Sequence, residues 1–199
     1  MGQDRMTLLP LLPSRTSDLA GPPAPSDACR FCGFEAGGFM QQAQHGDEIV
    51  AACPLCALCR GLDRPRIADE VVPVWLPEMT QRALVAVVRR LHLICHAHGQ
   101  APTMLGVPPP GLPILSQAWG LHMALVRRVA LAKARLGTTD IGELAEALDD
   151  AVRAGADVPS LLGGLRLLPL GRFFDGRGVD VYPDALAAYA PPTKGGVAA

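Results

Sequence analysis

Five of the six cysteines lie within one short stretch of the chain, in two groups that have the spacing of a metal site. Cys29 and Cys32 form a Cys-x2-Cys pair, and Cys53, Cys56 and Cys59 repeat that spacing after twenty intervening residues. Two residues between cysteines allow a tight turn that directs both thiolates at one ion. Two such turns provide the four sulfur ligands of a structural zinc site. The spacing therefore predicts that this stretch folds around zinc.

Five sulfur atoms are available for four ligand positions. We expect the second pair to be the one that encloses Pro54 and Leu55, because these residues make a compact turn. The expected ligands are Cys29, Cys32, Cys53 and Cys56. An alternative set ends with Cys56 and Cys59, with Cys59 in place of Cys53 if a helix begins at this point. His45 is a further candidate ligand, although a histidine so placed is more often a residue of a hairpin tip.

Disulfide and redox interpretations of these cysteines are less favourable than a metal site. The first residues lack the charged start and continuous apolar run of a secretory signal, so we expect the cell interior, where thiols stay reduced. A redox Cys-x2-Cys would need one pair only and would leave the second group unexplained. Four protein sulfurs leave no open position on zinc, so the predicted role of the metal is structural.

Length and charge limit the class of protein. A chain of 199 residues is long enough for one sizeable domain, or for a small metal module joined to a helical region. Its 18 Arg and Lys residues nearly balance 19 Asp and Glu, which disfavours direct nucleic-acid binding. Arg, His or Pro interrupts each apolar run, so we expect no membrane insertion.

The distribution of proline, cysteine and apolar residues predicts an α+β chain in five parts. Proline-rich stretches mark the N-terminal arm and an internal strap, and a weakly patterned end marks the tail. The predicted parts are a flexible arm at 1–27, the zinc module and the helix after it at 28–99, a Pro-rich strap at 100–113, a helical region with short terminal strands at 114–190, and a disordered tail at 191–199.

Apolar periodicity predicts a helix that begins near Pro77 and ends at Gly99. Its buried face includes Cys95, which we interpret as a small buried hydrophobe. His92 and His96 fall on the opposite face at a spacing of four, which could clamp a metal. Because no third ligand is in view, we expect a solvated histidine face.

Further periodic segments complete the prediction. A second helix is expected over 114–136 with Leu121 and Leu136 on its apolar stripe, and a third begins after Asp140 as its cap and runs towards Gly155. Short extended segments are expected at 71–76, at 165–169 and at 179–182.

Several strings of residues occur together in a characteristic order. They are Cys29-Arg-Phe-Cys-Gly-Phe34, Cys53-Pro-Leu-Cys56, Leu76-Pro-Glu-Met-Thr-Gln81 and Leu165-Arg-Leu-Leu-Pro169, the last ahead of a short segment that contains tyrosine. In this combination the chain, over roughly residues 28 to 185, resembles the IcmJ/DotN family of type IVB secretion and conjugal transfer proteins. The two cysteine pairs alone are generic, and the Leu-Pro-Glu-x-x-Gln string makes the resemblance more specific.

The resemblance implies a small zinc-bound ββα hairpin module like that of HNH endonucleases, with several added helices. It implies that Cys29, Cys32, Cys53 and Cys56 bind the zinc. It also implies a non-enzymatic subunit of the coupling complex, which binds the C-terminal tail of the coupling ATPase and other coupling-complex subunits. Such a protein is cytoplasmic and lies at the inner membrane through its partner.

The sequence departs from that family in the stretch between the cysteine pairs. This stretch is short and lacks the loop with His and Asn that the relatives carry, and the chain has no Asn at all. The alternative function, an HNH-type metal-dependent DNA endonuclease, would have to use His45 as base and Asp47 or Glu48 as Mg²⁺ ligands. An active HNH site needs more metal ligands and a polarising group, so nuclease activity is disfavoured.

Overall fold

The computed structural model describes residues 28–189, apart from residues 46, 108, 110, 158, 159 and 161. The predicted arm at 1–27 and the predicted tail at 191–199 lie outside these residues. The fold is α+β, as predicted. Its strands are β1 (Gln41–His45), β2 (Glu48–Ala52), β3 (Val71–Trp75) and β4 (Leu165–Pro169). Its helices are α1 (Pro54–Arg60), α2 (Ile67–Glu70), α3 (Gln81–Ala97), α4 (Pro113–Val126), α5 (Arg128–Leu136), α6 (Ile141–Arg153) and α7 (Tyr182–Tyr189).

The cysteine region is a ββα unit. β1 and β2 form an antiparallel hairpin in which Gln41 pairs with Ala52 and His45 pairs with Glu48. The end of β2 is buried, and α1 follows it after a single residue. The predicted hairpin between the cysteine pairs is therefore confirmed, and it brings the two pairs to the same end of the unit.

β3 and β4 form a second antiparallel pair from distant parts of the chain. Val71 pairs with Pro169 and Trp75 with Leu165, so the predicted extended segments at 71–76 and 165–169 are confirmed. Both strands contain proline, which a two-stranded ladder tolerates because each strand has a free edge. The third segment, predicted as extended at 179–182, is wrong at its end, since α7 begins at Tyr182.

α3 is the central helix. Its predicted start near Pro77 is wrong by four residues, because the Thr80 side chain accepts a hydrogen bond from the amide of Ala83 (3.2 Å) and caps the helix there. The predicted end is confirmed by Gly99, whose φ of +67° lies in the left-handed region.

The helix predicted over 114–136 is two helices. α4 ends at Val126 and α5 begins at Arg128, with the single residue Arg127 between them. Each short helix buries its own narrow stripe, so Leu121 and Leu136 are 46% and 36% exposed instead of buried. α6 begins as predicted, with the Asp140 carboxylate accepting from the amide of Glu143 (3.0 Å).

One hydrophobic core connects the cysteine unit to the C-terminal part of the described chain. It includes Phe31 of the first cysteine turn, Leu55 of α1, Leu167 of β4, and Tyr182 and Leu186 of α7. The predicted boundaries of the strap stay a prediction; its described part includes a 3-10 helix at Pro102–Gly106. Within the described residues, no helix combines the length and the apolar character needed to cross a membrane.

Candidate metal centre

The first cysteine pair lies in a tight turn that requires a glycine. The amide of Gly33 donates to the carbonyl of Cys29 (2.8 Å), and the amide of Cys29 donates to the carbonyl of Phe34 (2.9 Å). Gly33 has a φ of +73°, a conformation that favours glycine because it has no Cβ. The amide of Arg30 also donates to Ala51 of β2 (2.9 Å). These bonds direct Cys29 and Cys32 to the same side, next to the end of the hairpin.

The second cysteine pair lies at the start of α1. Cys53 is the extended residue before the helix, and Pro54 is its first residue. Proline suits this position because the first helical amide has no partner within the helix. Cys56 follows in the first turn, so its thiol lies near that of Cys53. The start of α1 therefore positions the second pair, Cys53 and Cys56, as the turn at Gly33 positions Cys29 and Cys32.

The four thiols form a compact cluster. The sulfur atoms of Cys29, Cys32, Cys53 and Cys56 all lie within 4.8 Å of one another, and Cys32 and Cys53 are 3.7 Å apart. A tetrahedral zinc with bonds of about 2.3 Å would hold its sulfur ligands about 3.8 Å apart. Three of the cysteines are buried and Cys32 is half-buried. The donor set, spacing and burial fit a four-coordinate metal, and four sulfurs would complete its coordination shell.

Arg89 of α3 is a positive charge at the edge of this cluster. Its Nη1 donates to the sulfur of Cys32 (3.5 Å) and lies 4.0 Å from that of Cys53. Its guanidinium lies over the ring of Phe34, 3.8 Å from the centroid. Hydrogen bonding from the Cys29 thiol, then from the other two cluster thiols, and also from Arg89, holds the pKa of Cys32 well below the ordinary thiol value. Sequence reasoning missed Arg89, because helical periodicity places it on a polar face.

Cys59 does not join the cluster. It lies near the end of α1, where its thiol donates to the carbonyl of Leu167 (3.9 Å) and accepts from the Nε2 of Gln81 (3.3 Å). Burial raises the pKa of the Cys59 thiol, which keeps it in the protonated form. The structure thus gathers the expected set with Cys53, and the alternative set with Cys59 is not assembled.

The histidines of α3 are not a solvated ladder, and that prediction is wrong for His92. Its ring is fully buried, and its Nδ1 lies 2.9 Å from the hydroxyl oxygen of Tyr182. Burial, with the nearby His122, lowers the pKa of His92 to about 3. α7 covers this face of α3, a contact between residues ninety positions apart that periodicity cannot reveal. Cys95 is buried, as predicted.

The hairpin tip has no assembled acid–base group among the described residues, which exclude residue 46. His45 pairs with Glu48 across the hairpin, and the centroids of its ring and that of Phe31 lie 6.3 Å apart in a T-shaped contact. Over the same residues the cysteine cluster is the only group of three or more His, Cys, Asp or Glu side chains that converge as metal ligands. His45, Asp47 and Glu48 therefore lie outside the candidate metal centre.

Two of the sequence strings meet in space. The Gln81 side chain donates to the carbonyl of Leu167 (2.7 Å) and accepts from its amide (2.8 Å). The amide of Leu76 donates to Gly164 (2.6 Å), and the Arg166 side chain donates to the carbonyl of Met79 (2.6 Å). Leu76–Gln81 and Leu165–Pro169 thus form one hydrogen-bonded junction, which Gln81 also connects to Cys59 of α1.

The chain matches no model of a known protein family, and it matches no curated protein.

Proposed function

We propose that this protein is a non-enzymatic, zinc-stabilised adaptor subunit of the coupling complex of a type IV secretion or conjugation system. In that role it binds the C-terminal tail of the coupling ATPase and contacts other coupling-complex subunits. It acts in the cytoplasm and reaches the inner membrane only through these partners. The proposal joins the resemblance in the sequence to the chemistry of the cysteine cluster.

The proposed non-enzymatic role is supported by the four clustered cysteine sulfurs, which would fill every coordination position of a tetrahedral zinc. Zinc suits four thiolates, and a zinc with four protein ligands has no position for water or substrate. Cys29, Cys32, Cys53 and Cys56 would hold the ion, which supplies four bonds that join the first turn to α1. Arg89 would offset part of the negative charge that four thiolates bring to a divalent ion.

The junction between the two sequence strings supports the use of the resemblance. Leu76–Gln81 and Leu165–Pro169 are far apart in the chain and yet share three hydrogen bonds, and a fourth joins Leu76 to Gly164, the residue before the second string. Each of these bonds has a backbone group on at least one side, and the Gln81 and Arg166 side chains supply the other side of three of them. They hold α3 and β4 against α1, and so support the cysteine unit without a role in chemistry.

Isothermal titration calorimetry tests the adaptor role. The full chain, shown to be folded and loaded with zinc, is titrated with the C-terminal tail of the coupling ATPase encoded beside its gene, at low and at high salt. We expect saturable binding with one tail per chain. A tail with scrambled sequence and the same composition is the control, and it should give no binding.

Two results would contradict the proposal. The adaptor role fails if the folded, zinc-loaded protein neither releases heat with the tail nor elutes with it. The non-enzymatic part fails if the protein nicks plasmid DNA with Mg²⁺ or Mn²⁺ and His45→Ala abolishes the nicking while zinc content is unchanged.

A further inference from the structure

Charge is distributed unevenly along the chain, although its total is close to zero. From Met79 to Thr139 the sequence has seven Arg and Lys residues and no Asp or Glu. The rest of the chain therefore has eleven basic residues and all nineteen acidic ones. The basic stretch includes the whole of α3, α4 and α5. A net charge of −1 hides this separation, because the acidic residues lie elsewhere.

An open apolar groove lies between two of these basic-stretch helices. It has a volume of about 480 Å³, and its walls come from α3 and α4. Ile114 and Leu121 line it from α4 and are 40% and 46% exposed. Val87 and Ile94 line it from α3 and are half-buried. Single exposed apolar side chains are ordinary, but these share one concave surface, which is typical of a binding site.

The charge beside this groove is positive. Arg90 lines the groove and is exposed. Neither α3 nor α4 contains an acidic residue. Glu78, the nearest acidic residue in the sequence, is paired with Arg128 at 2.6 Å. An occupant with acidic flanks would therefore meet complementary charge and no repulsion from these helices.

The length of the groove suits a short helix. Its lining on α3 extends over two turns from Val87 to Ile94, about 10 Å at 1.5 Å per residue. A helix laid in such a groove contacts it through apolar side chains at positions i, i+3, i+4 and i+7. Two turns of apolar contacts match this spacing.

We propose that the α3–α4 groove binds an amphipathic helix of a partner protein whose apolar stripe is bordered by Asp and Glu. The inference rests on the proposed function, because it assigns a surface and a chemistry to the partner segment. Ile114 and Leu121 contact the apolar stripe, and Arg90 pairs with an acidic residue at its border.

The experiment is fluorescence anisotropy with the full zinc-loaded chain and a labelled synthetic helix. The probe has about 15 residues, with leucine at i, i+3, i+4 and i+7 and glutamate at the flanking positions. A second probe has lysine at every glutamate position. We expect the acidic probe to bind at least tenfold more tightly than the basic one. Leu121→Glu and Arg90→Glu should each weaken binding of the acidic probe at least tenfold.

Val152→Glu is the matched control variant. Val152 is 61% exposed on α6, outside the groove, so this change should leave the affinity for the acidic probe within twofold. Zinc content and circular dichroism must match the wild type for each variant. If Leu121→Glu does not fold, Ile114→Gln takes its place.

Equal affinity for the two probes, or binding that survives Leu121→Glu, would overturn the inference. A change in solution mass caused by Leu121→Glu would assign the groove to a second copy of the chain. A photo-crosslink from position 121 to residues 1–27 of the same chain would assign it to that segment. DNA binding lost in Arg90→Glu and kept in Leu121→Glu would assign the charge to nucleic acid. Each of these results overturns the proposal.

Failure of the groove and failure of the adaptor role are distinguishable. If the ATPase tail binds with the same affinity to the wild type and to Leu121→Glu, the adaptor role stands and the groove inference is wrong. If the acidic probe binds in the groove but the tail does not bind at all, the groove stands and the proposed partner is wrong.

Discussion

His92 is a buried imidazole that the fold keeps neutral. Its pKa falls from 6.5 to about 3, because burial removes the water that would stabilise the charged ring. An unfolded chain takes up a proton at His92 below pH 6.5, whereas the folded protein does so only near pH 3. Falling pH between these values therefore favours the unfolded state. Its contribution to stability is fully present above pH 6.5 and declines below it.

We predict that His92 lowers the free energy of unfolding by about 1.4 kcal/mol for each pH unit below 6.5. The measurement is urea unfolding of the wild type and of His92→Gln between pH 5 and pH 8. Protonation of the thiols changes the unfolding free energy of both proteins equally. The difference between their pH slopes therefore reports His92 alone. Gln117→Ala on the exposed surface of α4, which removes no titratable group, is the control and should keep the wild-type slope. Equal slopes for the wild type and His92→Gln would contradict the prediction.

Gln81 satisfies both backbone groups of a buried residue in β4. Its amide bonds with the carbonyl and the amide of Leu167 at 2.7 and 2.8 Å. Gln81→Ala should cost about 2–4 kcal/mol of unfolding free energy, because the buried amide of Leu167 loses the Gln81 acceptor and its carbonyl keeps only the weak Cys59 thiol donor. Gln117→Ala on the exposed surface of α4 should change stability by less than about 0.5 kcal/mol. Similar losses in thermal unfolding of both variants would show that the Gln81 bonds contribute little.

At the scale of elements, α2 is held to the segment after β4 by one buried carboxylate. Glu70 is fully buried, pairs with Arg64 at 2.8 Å, and accepts from the amide of Phe174 at 2.6 Å. Arg64 also donates to the carbonyl of Phe174 (2.7 Å) and lies over the ring of Phe173. These contacts fix the chain between β4 and α7, and α7 in turn covers α3.

Glu70→Ala should reduce the free energy of unfolding by about 3–5 kcal/mol, because it removes the only carboxylate that pairs with the mostly buried Arg64 among the described residues and the acceptor for the Phe174 amide. The adjacent Asp69 gives a matched control. Its pair with Arg66 is exposed on both sides, at 44% and 46%, so Asp69→Ala should cost less than about 1 kcal/mol. Guanidinium unfolding of the two variants makes the comparison. A larger loss in Asp69→Ala than in Glu70→Ala would contradict this account.

Sequence patterns located the elements whose partners are close in the chain. The cysteine spacing predicted the hairpin and the four sulfurs, because a Cys-x2-Cys turn is a local structure. The cap at Asp140 and the end at Gly99 are local in the same way. Burial by distant elements was not predictable. The second buried face of α3 depends on α7, and Arg89 reaches the cysteines only because α3 packs beside α1.

At the scale of the whole molecule, the cysteine cluster and the distant termini of the described chain share one core. Phe31 packs in the same cluster as Tyr182 and Leu186. Thiolate–metal bonds form only in the folded state, so metal binding free energy becomes folding free energy. Because the core is shared, loss of the metal should affect α7 as well as the hairpin. Removal of the metal with a chelator should therefore change the near-UV circular dichroism spectrum, to which Tyr182 contributes. It should also abolish the hydrogen-exchange protection of α7 and of the β1–β2 hairpin.

The zinc content of the full chain and of its cysteine variants, purified without chelator and measured by elemental analysis, tests whether the four-cysteine cluster is a metal site. We expect about one zinc per chain in the wild type, in Cys59→Ser and in Cys95→Ser, since a structural site has four sulfur ligands and one ion. Cys29→Ser and Cys53→Ser should each lose the zinc. A wild type without zinc, or a Cys59→Ser variant that loses zinc while Cys53→Ser retains it, would contradict the account.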